Sequence, residues 1–145
     1  MKISTKGRYA LRMMLDLAQH GQYDCVALKD IAARQEVSKK YLEQIVPILN
    51  KAGLLKTLRG YQGGYMLAKL PSEYTVGEIL RATEGSLAPI PCVKEEPIPC
   101  ERAYNCITYP MWKGLSKVIN DYLDGITLQD LLDKHAENGA NEYII

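Results

Sequence analysis

The feature that most constrains this chain is a change of hydrophobic period near Gly53. Before it, apolar residues recur at helical spacing. Ala10, Met13, Met14, Leu17 and Ala18 follow the i, i+3, i+4, i+7, i+8 pattern of a buried helical stripe, with Ser4 or Thr5 as its cap and Gly21 as its stop. A short second helix carries Leu28, Ile31 and Ala32 on one face. Ser38 is a suitable N-cap for a third helix, with Leu42, Ile45 and Leu49 as its inner stripe and Gly53 as its end. Pro47 falls inside that helix and is expected to kink its back half, leaving residues 39–46 regular. After Gly53 the pattern is that of strands. Residues 54–58 and 65–67 flank Arg59-Gly60-Tyr61-Gln62-Gly63-Gly64, a tip rich in residues that tolerate positive φ.

Three helices followed by a hairpin predict a mainly α protein with a small β-hairpin, the layout of a winged helix-turn-helix. The second half returns to helix. Thr75-Val76-Gly77-Glu78 is a capping-box signal opening a helix with Val76, Ile79 and Leu80 inward. Residues 85–105 hold four prolines and no period, and so predict a long loop, a feature usually functional or disordered in a small protein. After Pro110, the residues Trp112, Leu115, Val118, Ile119, Tyr122 and Leu123 make one broad helical stripe ending at Gly125. Thr127 opens a last helix with Leu128, Leu131 and Leu132 inward, and residues 137–145 show no pattern.

The 145 residues suit one compact domain, or one with an attached dimerisation segment. At 47% hydrophobic and 24% charged the chain is too apolar to be disordered, yet no run is long enough to cross a bilayer. Arg12 and Asp16 interrupt the first apolar stretch and no small-residue cleavage site follows, so a cytoplasmic protein is expected. Its four cysteines are then expected as reduced thiols or metal ligands. The net charge of +1 conceals a segregation. Residues 1–69 hold 12 Lys/Arg against 5 Asp/Glu, or +7, and residues 70–145 hold 6 against 12, or −6. The basic part alone calls for a polyanionic partner.

The start of the third helix presents Ser38, Lys39, Lys40, Tyr41, Glu43 and Gln44, a dense set of donors and acceptors where a recognition helix meets the groove. Gln44 suits adenine, Glu43 suits cytosine N4, and Lys39 or Lys40 suits phosphate or guanine. At the hairpin tip, Arg59 beside Gly60 and Tyr61 suits a narrow minor groove. Cys92, Cys100 and Cys106 lie in or at the edge of the long loop, spaced by seven and five residues. Three such thiols point to a metal or iron–sulfur site, with unliganded thiols as the alternative, and the absence of C-x2-C weakens a zinc-finger reading. Pro91 and Pro99 precede two of the cysteines and would stiffen the loop. Cys25 is expected as a small buried residue beside the second helix, and His20 and His135 as helix-end or surface residues. No G-x-S-x-G, P-loop or H-E-x-x-H occurs, which argues against an enzyme.

The opening Met-Lys-Ile-Ser-Thr-Lys-Gly-Arg-Tyr-Ala, Tyr41-Leu-Glu-Gln44, Arg59-Gly-Tyr-Gln-Gly-Gly-Tyr65 and Val76-Gly-Glu-Ile-Leu80 resemble the Rrf-type winged-helix regulators of bacteria. That family includes an iron–sulfur cluster regulator, a nitric-oxide-sensing repressor and a cysteine-metabolism repressor. The resemblance implies a double-stranded DNA operator and a homodimer, with no membrane association. Its long helix, about residues 111–124, would cross its mate through Trp112, Leu115, Ile119 and Tyr122. The implied division is 1–84 for DNA binding, 85–109 for a cysteine-bearing sensor loop and 110–145 for dimerisation and the C-terminal segment. It also implies a [2Fe-2S] or [4Fe-4S] cluster on Cys92, Cys100 and Cys106. Where the cluster regulator places a histidine as fourth ligand this chain has Tyr109, so Tyr109, Glu101 or an external ligand would complete the set. Arg8 stands where the nitric-oxide sensor has an acidic ligand. The N-terminus and the closing Asn141-Glu-Tyr-Ile-Ile145 look more like the cysteine-metabolism repressor, which lacks the cluster and works with O-acetylserine thiol-lyase. The leading expectation is a repressor sensing iron–sulfur or redox status. A cluster-free cysteine repressor acting with that enzyme is the alternative, followed by a zinc-stabilised regulator and a small electron-transfer protein.

Overall fold

The computed structural model describes residues 2–21, 24–94 and 100–142, with side chains described to residue 139. Its helices are α1 (Thr5–His20), α2 (Leu28–Gln35), α3 (Lys39–Lys51), α4 (Val76–Glu84), α5 (Tyr109–Asp124) and α6 (Leu128–Glu142). Strands β1 (Leu55–Leu58) and β2 (Gly64–Leu67) lie between α3 and α4. This is a winged helix-turn-helix, α1–α3 with the hairpin, followed by three further helices.

Local chemistry sets the helix starts. Ser4 Oγ accepts the Gly7 N–H at 3.3 Å, and Glu84 at the end of α4 accepts the N–H of Ser4 at 3.0 Å, so α1 begins against the last turn of α4. Ser38 Oγ accepts the Tyr41 N–H at 3.3 Å to open α3, as expected. Pro47 lies within α3, which continues to Lys51. The amide it lacks would have met the carbonyl of Glu43, and both residues are exposed, so water can take that carbonyl. The capping box expected before α4 is half formed. Thr75 Oγ1 accepts the Glu78 N–H at 3.1 Å, but the Glu78 carboxylate binds Lys69 at 2.9 Å instead of returning to the cap. The complete box starts α6, where Asp130 donates its N–H to Thr127 Oγ1 at 3.0 Å and accepts the Thr127 N–H at 2.9 Å.

Two expectations need correction. The long helix starts at Tyr109 rather than Met111, because Pro110 fits the first turn, where no amide partner is required. The last helix runs on to Glu142, although residues 137–145 show no apolar period. Residues 133–138 are exposed, so this stretch has no buried face to imprint an apolar pattern. Residues 143–145 lie outside the described residues.

Strand β1 pairs antiparallel with β2, Leu55 facing Leu67 and Leu58 facing Gly64. Val26, just before α2, forms a single-residue bridge to the hairpin by exchanging both backbone bonds with Tyr65 at 2.8 and 2.9 Å. The main core joins Met13, Met14 and Leu17 of α1 to Ile31, Leu42, Ile45, Leu49 and Ile79. Asp16 is also buried, 1% exposed, where Arg34 and Gln35 at the end of α2 satisfy its carboxylate at 2.7–3.0 Å. A second cluster of Val76, Leu80 and Leu87 packs against Ile119 and Leu123 of α5. Helix α4 therefore serves both cores. Arg81 fixes it to α5 by bonding the Asp124 carboxylate at 2.7 and 2.8 Å and Asn120 at 2.8 Å. Among the described residues no helix is long and apolar enough to cross a membrane.

Candidate nucleic-acid interface and cysteine loop

Helix α3 buries Leu42, Ile45 and Leu49 and leaves Ser38, Lys39, Lys40, Glu43 and Gln44 exposed. Lys39 and Glu43 approach to 3.9 Å, a loose pair one turn apart. Tyr41 behaves differently from its neighbours. Its half-buried ring meets Tyr9 of α1 edge-on, with centroids 5.4 Å apart. The structure thus divides the six predicted helix residues into five that face solvent and one that packs inward.

At the tip of the wing Arg59, Gly60 and Tyr61 are exposed, Tyr61 completely. Gly60 has φ of 118°, a conformation unfavourable for a residue with a Cβ, and its carbonyl accepts the Gly63 N–H at 3.0 Å to close the turn. Arg59, Thr57, Lys39 and Glu43 line one groove of about 450 Å³ between wing and recognition helix, so two separately predicted groups converge. Cys25 is half-buried, and its thiol donates to the Gln62 carbonyl at 3.2 Å, holding the tip against the segment before α2. No motif in the sequence pointed to this contact. It arises because the Val26–Tyr65 bridge brings the two segments together.

In the long loop, Pro91–Val93 forms one 3-10 turn containing Cys92. Desolvation pushes the Cys92 thiol above its usual range, and a hydrogen bond with Cys100 and the neighbouring charges of Cys100 and Cys106 push it further. Cys106 shifts the opposite way. Its hydrogen bond with Thr108, Sγ to Oγ1 at 3.3 Å, holds the thiol below its ordinary value, assisted by the N–H groups of Thr108 and Tyr109 and by Arg102. Cys92 thus interacts with Cys100, and Cys106 stands three residues before α5. Among the described residues, no three His, Cys, Asp or Glu side chains are close enough to hold a metal ion together. Three thiols nevertheless form a donor set that fits a thiophilic iron cluster or zinc. Tyr109 is half-buried in the first turn of α5, where its backbone N–H faces the Cys106 thiol, and Glu101 is exposed. Pro99 lies outside the described residues.

Residues 3–134 match the Rrf2 family, described as iron-dependent transcriptional regulators. The chain belongs to the Rrf2 family. The transcriptional regulator IscR of Aliivibrio salmonicida is 42% identical over 132 residues, which cover 91% of this chain and 77% of that protein. The solved structure of T. potens IscR has a TM-score of 0.76 and 43% identity, covering 95% of this chain and 90% of that one. CymR, the global cysteine regulator of B. subtilis, has a TM-score of 0.70 and 38% identity, covering 92% and 98%. These relatives are regulators of transcription and not enzymes, in agreement with the lack of enzyme motifs.

On this Rrf2 chain the apolar stripe of α5 divides in two. Ile119 and Leu123 pack inward onto Val76, Leu80 and Leu87, whereas Met111, Leu115, Val118 and Tyr122 face solvent, the last two 65% and 68% exposed. Trp112 is half-buried. The outward residues step by four, three and four, the spacing of a seam between paired helices.

Proposed function

We propose that this Rrf2 protein is a homodimeric repressor of transcription that reads iron–sulfur or redox status through Cys92, Cys100 and Cys106. The observation that carries the proposal is that Cys92, Cys100 and Cys106 all lie in the segment leading from α4 into α5, in a chain that matches the iron-dependent Rrf2 regulators. A cluster on them would supply ligation sensitive to oxygen and redox state. Cys106, held toward the thiolate by Thr108 and Arg102, is the ligand prepared in advance, and Tyr109 or Glu101 is the candidate for the fourth position. Met111, Leu115, Val118 and Tyr122 supply the dimer seam. Ser38, Lys39, Lys40, Glu43 and Gln44 face the major groove of a double-stranded operator, Tyr41 braces them from within, and Arg59, Gly60 and Tyr61 meet the minor groove. Cytoplasmic action follows from this role.

The site and the readers are mechanically joined. Cys106 leads directly into α5, Arg81 fixes α5 to α4, and Glu84 fixes α4 to the start of α1. A change in loop geometry shifts operator affinity only as far as the two loop states bind DNA differently.

Visible absorption of protein purified without oxygen, with iron and sulfide measured on the same sample, tests the reading. A brown protein with matching iron and sulfide is expected. A colourless protein that binds DNA would replace it with the second reading, a cluster-free repressor acting with O-acetylserine thiol-lyase. The likeness to CymR favours that second reading, and co-purification with the enzyme would test it. Colourless protein carrying zinc would make the site structural.

A further inference from the structure

We propose that the face of α1 bearing Arg8, Tyr9 and Arg12 is a second phosphate-binding strip, on the side of the recognition helix opposite the wing. The proposal rests on the DNA-binding reading and extends its footprint. At 3.6 residues per turn, successive side chains on α3 are about 100° apart. With Leu42, Ile45 and Leu49 inward, Lys40 and Gln44 point directly outward. Lys39 and Glu43 turn toward one flank, where they share the groove with Arg59 of the wing. Tyr41 turns toward the other flank and meets Tyr9. The recognition helix therefore lies between the wing and α1. A helix of about 10–12 Å fills a major groove about 12 Å wide, so the elements on its two flanks face the two phosphate strands.

The α1 flank is equipped for that contact. Arg8 is exposed and steadied by a hydrogen bond from Nη2 to Thr5 Oγ1 at 3.0 Å. Arg12 lies 5.3 Å from the Tyr9 ring centroid and donates from Nε to Gln35 Oε1 at 3.2 Å. Among the described residues neither guanidinium has a carboxylate within 4.0 Å, whereas Lys69, Arg81 and Lys117 are each paired with one. Two ordered cations with no counter-ion, one helical turn apart beside the recognition helix, fit the diester backbone of duplex DNA.

Arg8 gives the cleaner test, because Arg12 also supports the end of α2. Affinity of the full chain for a 30-base-pair duplex of mixed sequence is measured by fluorescence anisotropy across a salt series. Phosphate contacts are independent of sequence, so no operator is needed. Arg8→Ala is expected to reduce the slope of log affinity against log salt by roughly 0.9 for each protomer's lost contact. Arg8→Lys should keep the slope, and Lys134→Ala on α6 should leave it unchanged. Circular dichroism of the variants identifies any loss of helix. A wild-type slope in folded Arg8→Ala would overturn the strip and leave the DNA-binding reading intact. Failure of the wild-type chain to bind any duplex would overturn both.

Discussion

One buried phenol holds both legs of the wing. Tyr74, fully buried, donates its hydroxyl to the Leu54 carbonyl at 2.7 Å and accepts the N–H groups of Ala68 at 2.7 Å and Lys69 at 3.2 Å. Leu54 leads into β1, and Ala68 and Lys69 follow β2, so a single oxygen ties the base of the hairpin to the segment before α4. Tyr74→Phe keeps the ring and removes all three bonds. The Leu54 carbonyl is deeply buried and should cost about 1–2 kcal/mol when left unpaired, while the two N–H groups, at the chain's exit from the hairpin, reach water more easily and add about 1 kcal/mol. The expected loss is about 2–3 kcal/mol, a fall in Tm of roughly 4–12 °C for a chain of this size. Urea and thermal unfolding at fixed protein concentration measure it. Its pH dependence has a definite sign. Burial is the main cause pushing the Tyr74 phenol above its ordinary value of 10.0, with the Ala68 and Lys69 N–H groups partly opposing it. A phenol with a raised folded pKa contributes stability that is complete below its ordinary pKa and lost as pH rises through the folded value. The gap between wild type and Tyr74→Phe should therefore narrow in alkali above pH 10. A variant within about 0.5 kcal/mol of wild type at pH 7 would refute the hydrogen-bond reasoning, and a gap independent of alkaline pH would refute the assignment to the phenol.

Arg59→Ala should weaken binding to a selected operator duplex by about 1–3 kcal/mol without altering the dimer, as measured by anisotropy and sedimentation; unchanged affinity would remove the wing from the interface. Replacing Val118 and Tyr122 together by Glu should give a folded monomer in sedimentation equilibrium, because both face outward on α5, and a persisting dimer would place the seam elsewhere. Cys100→Ala should abolish visible absorption in anaerobic protein while the dimer survives; loss of the dimer would make the loop structural. At Gly77 a Cβ would collide with the Asp124 carboxylate that holds Arg81. Gly77→Ala should consequently destabilise the α4–α5 contact by about 1–3 kcal/mol in urea titration, and an unaffected variant would show that Asp124 moves aside freely.

The winged helix-turn-helix was legible because its signals are local. Ser38, the Leu42–Ile45–Leu49 stripe and the glycine-rich tip each state their own conformation within a few residues. The Tyr74 anchor and the Cys25–Gln62 contact were not legible, because each depends on segments meeting across the fold: Tyr74 reaches 20 residues back to Leu54, and Cys25 reaches 37 residues forward. The cysteine loop lies between these cases. Its three thiols are conspicuous in the sequence, but the opposite shifts of Cys92 and Cys106 come from desolvation and from Thr108, which spacing alone does not reveal.

Helix α5 shows why a correct periodicity can still leave a function undivided. The sequence groups Leu115, Val118, Ile119 and Tyr122 into one apolar arc, because a hydropathy pattern records that residues avoid water and not what covers them. Polar residues of the fold divide that arc. Arg81 grips Asn120 and Asp124, which sets the rotation of α5 on α4 and commits Ile119 and Leu123 to the chain's own second core. With that rotation fixed, Met111, Leu115, Val118 and Tyr122 have no cover within the described chain. Ile119, expected at the dimer seam with Trp112, Leu115 and Tyr122, is half-buried against the chain's second core, and Val118 and Met111 stand with Leu115 and Tyr122 on the outer face. The same clamp joins the helix that starts at the cysteine loop to the helix that supports the DNA-binding core, so any movement of α5 that breaks Arg81 from Asp124 also exposes Ile119 and Leu123. That shared cost makes a rigid shift of α4 and α5 together easier than a separation of the two.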